Sequence, residues 1–316
     1  MSLIRKKNIR HIKSKANTGF GNQASEFENR FINKNGNANV IKSGISFLDS
    51  ISWYHLMLTV SKRNFIFALL MGFILINTIF ASLYYFIGIE HLNGINKTSS
   101  QLEQLAQAYF FSAQTFTTVG YGHISPTGFL TSMLAALEAL IGLLSFALAT
   151  GLFYGRFSKP KAFILFSHHA IIAPYKSGKA LMVRLVPFKN ISLIDAEVQI
   201  TAGIIIEENN TRVNKFFTLD LEMNQIASLN LNWTLVHEIT EQSPFYGFSQ
   251  EDFAQTKGEI IVYFKAFDDM YSNTVSIKTS YIFEEIIYDA KFEKMYYNTP
   301  KGIILEIDKL NQITKL

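Results

Sequence analysis

The chain has 316 residues, of which 48% are hydrophobic and only 17% charged, against roughly a quarter charged in an average soluble protein. That composition excludes disorder or collagen-like repeats for most of the sequence, and the absence of Cys excludes a disulfide scaffold, thiolate metal sites and a Cys nucleophile. The net charge of +4 is concentrated at one end: residues 1–63 hold 11 Lys/Arg against 3 Asp/Glu, whereas 64–155 and 156–316 are each net negative. No basic face of a nucleic-acid-binding domain emerges, so no nucleic-acid partner is expected.

In chain order, residues 1–45 form an Asn- and Lys-rich leader without an apolar signal segment and are expected to be flexible. Over 46–60, Phe47, Leu48, Ile51, Tyr54 and Leu58 fall at near-helical spacing, with Ser52, His55 and Thr59 on another stripe. This predicts an amphipathic helix lying on a membrane surface. A pore domain is then expected over 61–156. Phe65 to Ile89 is uncharged for 25 residues, enough to cross a hydrocarbon core of about 30 Å. A second apolar stretch, Pro126 to Tyr154, is broken only by Glu138. Lys62-Arg63 precede the first stretch, and Arg156, Lys159 and Lys161 follow the second. By the positive-inside rule both flanks, and so both termini, are cytoplasmic in a two-span protein of the cell membrane.

Between the spans, Leu105 to Phe116 is apolar but too short to cross, so it predicts a re-entrant helix. Thr118-Val119-Gly120-Tyr121-Gly122 follows it, the sequence of a potassium filter. Dehydrating K⁺ takes carbonyl oxygens from consecutive residues, a backbone that Gly120 and Gly122 adopt without a Cβ penalty. The Thr118 hydroxyl adds the innermost oxygens, so K⁺ is expected at Thr118, Val119, Gly120 and Tyr121. One chain supplies one loop and four are needed, which predicts a homotetramer. Glu138 reads as a hydrogen-bonded brace behind the filter, with an ion ligand as the alternative. Gly142 and Gly151 permit close helix approach or bending, or serve simply as packing glycines.

Residues 157–316 are expected to form an all-β sandwich. Ala180–Val186, Leu193–Ile206, Trp233–Thr240, Glu259–Ala266 and Val275–Tyr288 are rich in β-branched or aromatic residues, with turn residues between them.

Several stretches carry a family resemblance: Phe47 to Thr59, Phe110 to Gly122, Ala149 to Lys161, Phe166 to Ile172, and Val236-His237-Glu238-Ile239-Thr240-Glu241-Gln242-Ser243-Pro244-Phe245-Tyr246. Over roughly residues 46–308 the chain resembles the bacterial inward-rectifier potassium channels, which are related to eukaryotic inward rectifiers. The resemblance implies a tetrameric two-span pore domain joined to an immunoglobulin-like cytoplasmic sandwich that extends the pore. K⁺ is the transported ion, and no cofactor is implied. Tyr154 matches the aromatic that narrows the inner-helix bundle, which makes it the gate, with an interfacial anchor as the alternative. Asp269–Ser276 matches the loop of a cytoplasmic constriction. Lys62, Arg63, Arg156, Lys159 and Lys161 form an inner-leaflet cluster suited to phosphoinositide or other anionic lipid, or a plain positive-inside flank. Phe146 stands where strong rectifiers carry an acidic or amide residue, so block by Mg²⁺ or polyamine is expected to be weak; Ba²⁺ is a further candidate blocker. Gln114 replaces a Glu found in many relatives.

Other tempting residues have plain readings. His168-His169 are expected in a strand on opposite faces, His123 in a solvated loop, and Glu207-Glu208 and Asp268-Asp269 at turns or loop edges. No nucleotide-binding, nucleophile-elbow or zinc motif suggests an enzyme. The rival reading is a two-span receptor or adaptor with a ligand-binding β-domain.

Overall fold

The computed structural model describes residues 30–44, 46, 52–96, 100–208 and 211–316. Residues 1–29 and Phe47–Ile51 lie outside the described residues, as do the side chains of Glu207 and Glu208. The chain divides into two compact units, one of residues 44–159 and one of residues 1–43 with 160–316.

The first unit is helical. Helix α1 (Trp53–Thr59) covers the described part of the expected surface helix, and Ser52 accepts the His55 amide at its start. Helix α2 (Lys62–Ile87) is capped by Ser61, whose side chain accepts from Asn64, and it stops at Gly88, φ +125°. Helix α3 (Gln101–Phe116) is one turn longer than expected at its start, where Ser100 caps the Glu103 amide. Helix α4 (Phe129–Phe157) completes the set. At about 1.5 Å per residue, α2 and α4 reach roughly 39 and 44 Å, whereas α3 reaches only about 24 Å. The two long helices are apolar enough to cross a membrane; the short one is not long enough.

A two-residue ladder that the sequence did not announce joins the chain on either side of α3. Strand β1 (Leu92–Asn93) pairs antiparallel with β2 (Ser125–Pro126). The Thr127 amide and hydroxyl both donate to the His91 carbonyl, at 2.8 and 2.9 Å. The segment carrying α3 and the filter motif is thereby closed at its base.

The second unit is a sandwich of two five-stranded sheets. One contains β6 (Leu193–Glu208), β7 (Thr211–Leu219), β8 (Gln225–Ser228), β10 (Gly258–Asp268) and β11 (Asn273–Ile282), in the order β11-β10-β6-β7 with β8 also on β6. The other contains β3 (Ile164–Phe166), β4 (Ala170–Tyr175), β5 (Gly178–Pro187), β9 (Trp233–Glu238) and β12 (Ile286–Tyr288), with β4, β3 and β9 all paired to β5. Period-2 alternation places one face of each strand in the core. In β9, Trp233, Leu235 and His237 are buried and the residues between them are not. Phe217, Leu235, Phe264 and Tyr281 fill the space between the sheets, and Phe245, Phe253 and Phe283 add a ring cluster with centroids 5.3–5.8 Å apart.

Three expectations need correction here. Val275–Tyr288 is not one strand: a 3-10 turn at Phe283–Glu285 breaks it, because the Glu285 carboxylate folds back to accept the Ile282 amide at 3.1 Å. His168-His169 lie in the turn between β3 and β4, both exposed, and the His168 amide donates to Asn311. Part of the expected flexible leader is ordered. Residues 30–39 pack on the first sheet, where the amides of Phe31 and Ile32 donate to the Glu259 carboxylate at 2.6 and 3.1 Å. The Ser280 hydroxyl donates to the Ile32 carbonyl. Gly36 (φ +85°) crosses so near β11 that a Cβ would lie 2.6 Å from the Lys278 carbonyl oxygen.

Candidate ion-conduction site

The motif Thr118–Gly122 leaves the C-terminus of α3, where a helix has carbonyls without intrahelical partners. Those carbonyls hold the first amides of the motif. Thr118 donates to the Thr115 carbonyl at 3.0 Å, and Val119 and Gly120 both donate to the Gln114 carbonyl, at 2.9 and 3.3 Å. The Thr117 hydroxyl donates to the Ala113 carbonyl at 2.7 Å.

From there the backbone alternates in hand. φ is +58° at Thr118, +53° at Gly120 and +79° at Gly122, while Val119 and Tyr121 are not left-handed. A strand with uniform dihedrals points successive carbonyls to opposite sides; alternation between left- and right-handed regions turns them toward one side. Thr118 has a Cβ, so its left-handed conformation costs about 1–2 kcal/mol, and the hydrogen bonds to α3 offset that strain. The Val119 and Tyr121 side chains stand exposed in the single chain.

Behind this segment, four polar side chains from three helices meet in an otherwise apolar region. Glu138 of α4 is fully buried. Its carboxyl group receives the Tyr84 hydroxyl of α2 at 2.6 Å and is in short contact with the Ser112 hydroxyl of α3. Ser112 also lies 3.0 Å from Asn77 Oδ1. Asn77 Nδ2 donates to the Phe73 carbonyl at 2.7 Å, which fixes the orientation of the amide. Tyr84 packs edge-on against Phe111, centroids 5.1 Å apart. A second close approach secures the end of α3: a Cβ at Gly142 would lie 2.0 Å from the Phe116 carbonyl oxygen. Gly142 therefore belongs to a helix contact, whereas Gly151 has open space around it.

Glu138 is fully enclosed by the three helices, with no exposed surface in the single chain. Asn77, Ser112 and Tyr84 were not singled out in the sequence, yet a signal for them existed. Asn77, Phe80, Ala81 and Tyr84 are the buried face of α2 at helical spacing, and an Asn inside an uncharged span marks a bundle-facing position.

The remaining expected residues are dispersed. Phe146 and Tyr154 project from α4 and are 74% and 75% exposed in the single chain. Lys62 and Arg63 lie in the first turn of α2, and Lys159 just beyond α4; all are exposed, as is Lys161, which belongs to the other unit. Arg156 differs from them. Its guanidinium donates to the Met57 carbonyl and, at 2.7 Å, to the Val60 carbonyl, and it stacks over the Phe65 ring at 4.4 Å. It thus fastens the end of α1 to α4. Asp269–Ser276 spans the β10–β11 turn and the start of β11; the buried Asp268 accepts the Tyr271 amide at 3.2 Å. His123 is exposed.

Comparison with known proteins decides what this arrangement belongs to. Residues 164–316 match the model of the inward rectifier potassium channel C-terminal domain, and residues 56–159 match an ion channel model. The chain is 30% identical over 292 residues to inward rectifier potassium channel Kirbac3.1 of Paramagnetospirillum magnetotacticum, covering 90% of this chain and 96% of that one. The chain belongs to the inward rectifier potassium channel family. It is also 26% identical to inward rectifier potassium channel irk-1 of Caenorhabditis elegans, covering 85% of this chain but only 53% of that protein. To ATP-sensitive inward rectifier potassium channel 12 of Gallus gallus it is 24% identical, covering 88% and 71%. As an inward rectifier family member it is a membrane protein with a two-helix pore unit and an all-β C-terminal unit. K⁺ is its transported ion, and its relatives are channels, not enzymes.

Proposed function

We propose that four copies of this chain assemble around one axis and conduct K⁺ passively through Thr118–Gly122, with ions dehydrated by the carbonyls of Thr118, Val119, Gly120 and Tyr121. The observation that carries this reading is the alternation of positive φ at Thr118, Gly120 and Gly122, held by hydrogen bonds to the end of α3. Such a backbone presents a row of oxygens on one side, and a ring of rows replaces the hydration shell of an ion. The apolar exposure of Val119, Tyr121, Phe146 and Tyr154 in the single chain favours further copies packed around them. Glu138, Ser112, Tyr84 and Asn77 act as the brace that holds α3 in place.

In this reading Tyr154 narrows the pore at the end of α4, and the Asp269–Ser276 loop forms a second constriction. The protein lies in the cell membrane with both termini cytoplasmic. Lys62, Arg63, Lys159 and Lys161 meet anionic headgroups, each contributing on the order of 1 kcal/mol. Arg156 serves chiefly to join α1 to α4. With Phe146 in place of a polar cavity residue, rectification by Mg²⁺ or polyamine is weak.

Flux from proteoliposomes tests the reading. The expected result is K⁺ efflux that Ba²⁺ blocks and Na⁺ does not replace, with a rate that changes as anionic lipid is titrated. Equal passage of Na⁺ and K⁺ would overturn the filter assignment, and indifference to lipid composition would overturn the role of the basic cluster.

A further inference from the structure

Segments from the two ends of the β unit meet on one residue. His168 stands in the bend between β3 and β4, and its side chain is exposed while its backbone is engaged. Its amide donates to Asn311 Oδ1 at 2.7 Å, and its carbonyl accepts from Lys34 Nζ. The first partner belongs to the C-terminal segment and the second to residues 30–39. Ser167, just before the bend, is tied into the sheets. Its amide donates to the Arg184 carbonyl at 2.8 Å, and its carbonyl accepts the Tyr281 hydroxyl at 2.7 Å. The Ser167 hydroxyl donates to the His169 carbonyl at 2.9 Å and so closes the bend. Lys34 reaches the same place by a second route. Its ammonium lies 5.0 Å from the centroid of the Tyr281 ring and 3.1 Å from the Glu285 carboxylate. The peptide unit between Ser167 and His168 therefore accepts on one side and donates on the other, and bonds in such a chain strengthen one another. On the C-terminal side, Ile313–Lys315 pairs with Ala290–Phe292, and the Leu316 amide donates to the Asp289 carbonyl at 2.8 Å.

We propose that the Ser167–His169 bend is a latch that makes the order of residues 30–39 and the order of residues 306–316 depend on each other. Asn311 and Lys34 grip groups on either side of one Cα, so the bend keeps its shape for each only while the other holds it. When either segment lifts, the bend is free to turn, and the remaining partner loses the geometry its bond needs. The coupling has the same magnitude in both directions. Residues 30–39 precede residues 40–52, which lead into α1. An event that frees the last residues of the chain therefore also loosens the segment before the first helix.

The test is hydrogen exchange of the full-length protein in detergent, read by mass spectrometry on peptides from residues 30–39, residues 306–316 and β10. Asn311→Ala should speed exchange about five-fold in residues 30–39 as well as in its own segment, and leave β10 unchanged. Lys34→Met should do the converse, speeding exchange in residues 306–316 by a similar factor. Asn311→Asp keeps an acceptor for the His168 amide and should exchange as the unmodified protein does. Asn311 is exposed and Lys34 partly so, and both variants should fold; should Lys34→Met not fold, Asn311→Ala carries the test alone. Faster exchange confined to the substituted segment, an equal acceleration in β10, or Asn311→Asp exchanging as fast as Asn311→Ala would overturn the proposal.

Discussion

Two buried carboxylates, one in each unit, do related work by different means. Glu138 and Glu259 are 0% and 4% exposed, and each fastens segments far apart in the sequence. Glu138 collects hydroxyl groups, those of Ser112 and Tyr84, which lie 26 and 54 residues away. Glu259 collects the backbone amides of Phe31 and Ile32, more than 220 residues away. The difference lies in what the partners can do. A hydroxyl rotates and either donates or accepts, so the Glu138 network tolerates a change in its central group. A backbone amide only donates and cannot turn, so Glu259 must present two acceptors at fixed positions. Burial pushes the Glu259 pKa upward, partly opposed by those amides, the Ser280 hydroxyl and the Arg30 charge.

The largest effect is expected where the polar cluster of the three helices loses its centre. Glu138→Ala leaves the buried Tyr84 hydroxyl without its acceptor and Ser112 with Asn77 alone, and opens a cavity, at a cost of about 3 kcal/mol or more. Thermal unfolding in detergent should show the loss, and K⁺ flux should fall with it. Glu138→Gln tests the tolerance claimed for hydroxyl partners. The three oxygen–oxygen contacts along Tyr84, Glu138, Ser112 and Asn77 need three protons. The two hydroxyls bring two, and an amide supplies the third. A cost within about 1 kcal/mol is therefore expected, and a loss as large as that of Glu138→Ala would break the comparison from the pore side.

Glu259→Gln should behave in the opposite way, because the new NH₂ group faces an amide donor. A loss of about 2 kcal/mol is expected at this contact, read as roughly 30-fold faster hydrogen exchange at the Phe31 and Ile32 amides. Unchanged exchange there would show that residues 30–39 are held by other contacts, such as the Arg30–Glu285 pair.

A smaller effect concerns pH and the β unit alone. His237 is buried between the Asp220 carbonyl, 2.7 Å from Nδ1, and the Ser243 hydroxyl, 2.8 Å from Nε2. Burial lowers its pKa below the usual imidazole range. The unfolded chain then takes up a proton that the folded one refuses. The sandwich should lose stability as pH falls below about 6.5, and that slope should flatten in His237→Gln. A slope unchanged by the substitution would assign the acid sensitivity to other groups.

The parts of this molecule legible in its sequence are those with a local signature. The spans show as uncharged runs, the turn of alternating hand after α3 as a motif of five consecutive residues, and four of the five proposed strand segments overlap single strands. The broken strand was hidden because the Glu285 carboxylate, not a Gly or Pro, makes the 3-10 turn. The ordering of residues 30–39 was hidden because Glu259, the group that holds them, lies on a strand near the other end of the chain. Of the polar cluster joining the three helices only Glu138 stood out, since a charge in a span is visible wherever its partners are. Ser112 and Tyr84 are ordinary in composition and acquire meaning only when three helices converge. The engagement of Arg156 with the α1 carbonyls likewise depends on a helix turning back on its neighbour.

Ion selectivity with Gly120 changed tests the central claim most directly. Gly120 has φ +53° and open space where a Cβ would stand in the single chain, so Gly120→Ala acts through backbone conformation and not through a clash with its own subunit. In proteoliposomes, beside an oligomer of unchanged size by light scattering, the account predicts that Gly120→Ala abolishes K⁺-selective, Ba²⁺-sensitive flux. Selective flux at the level of the unmodified protein would contradict it.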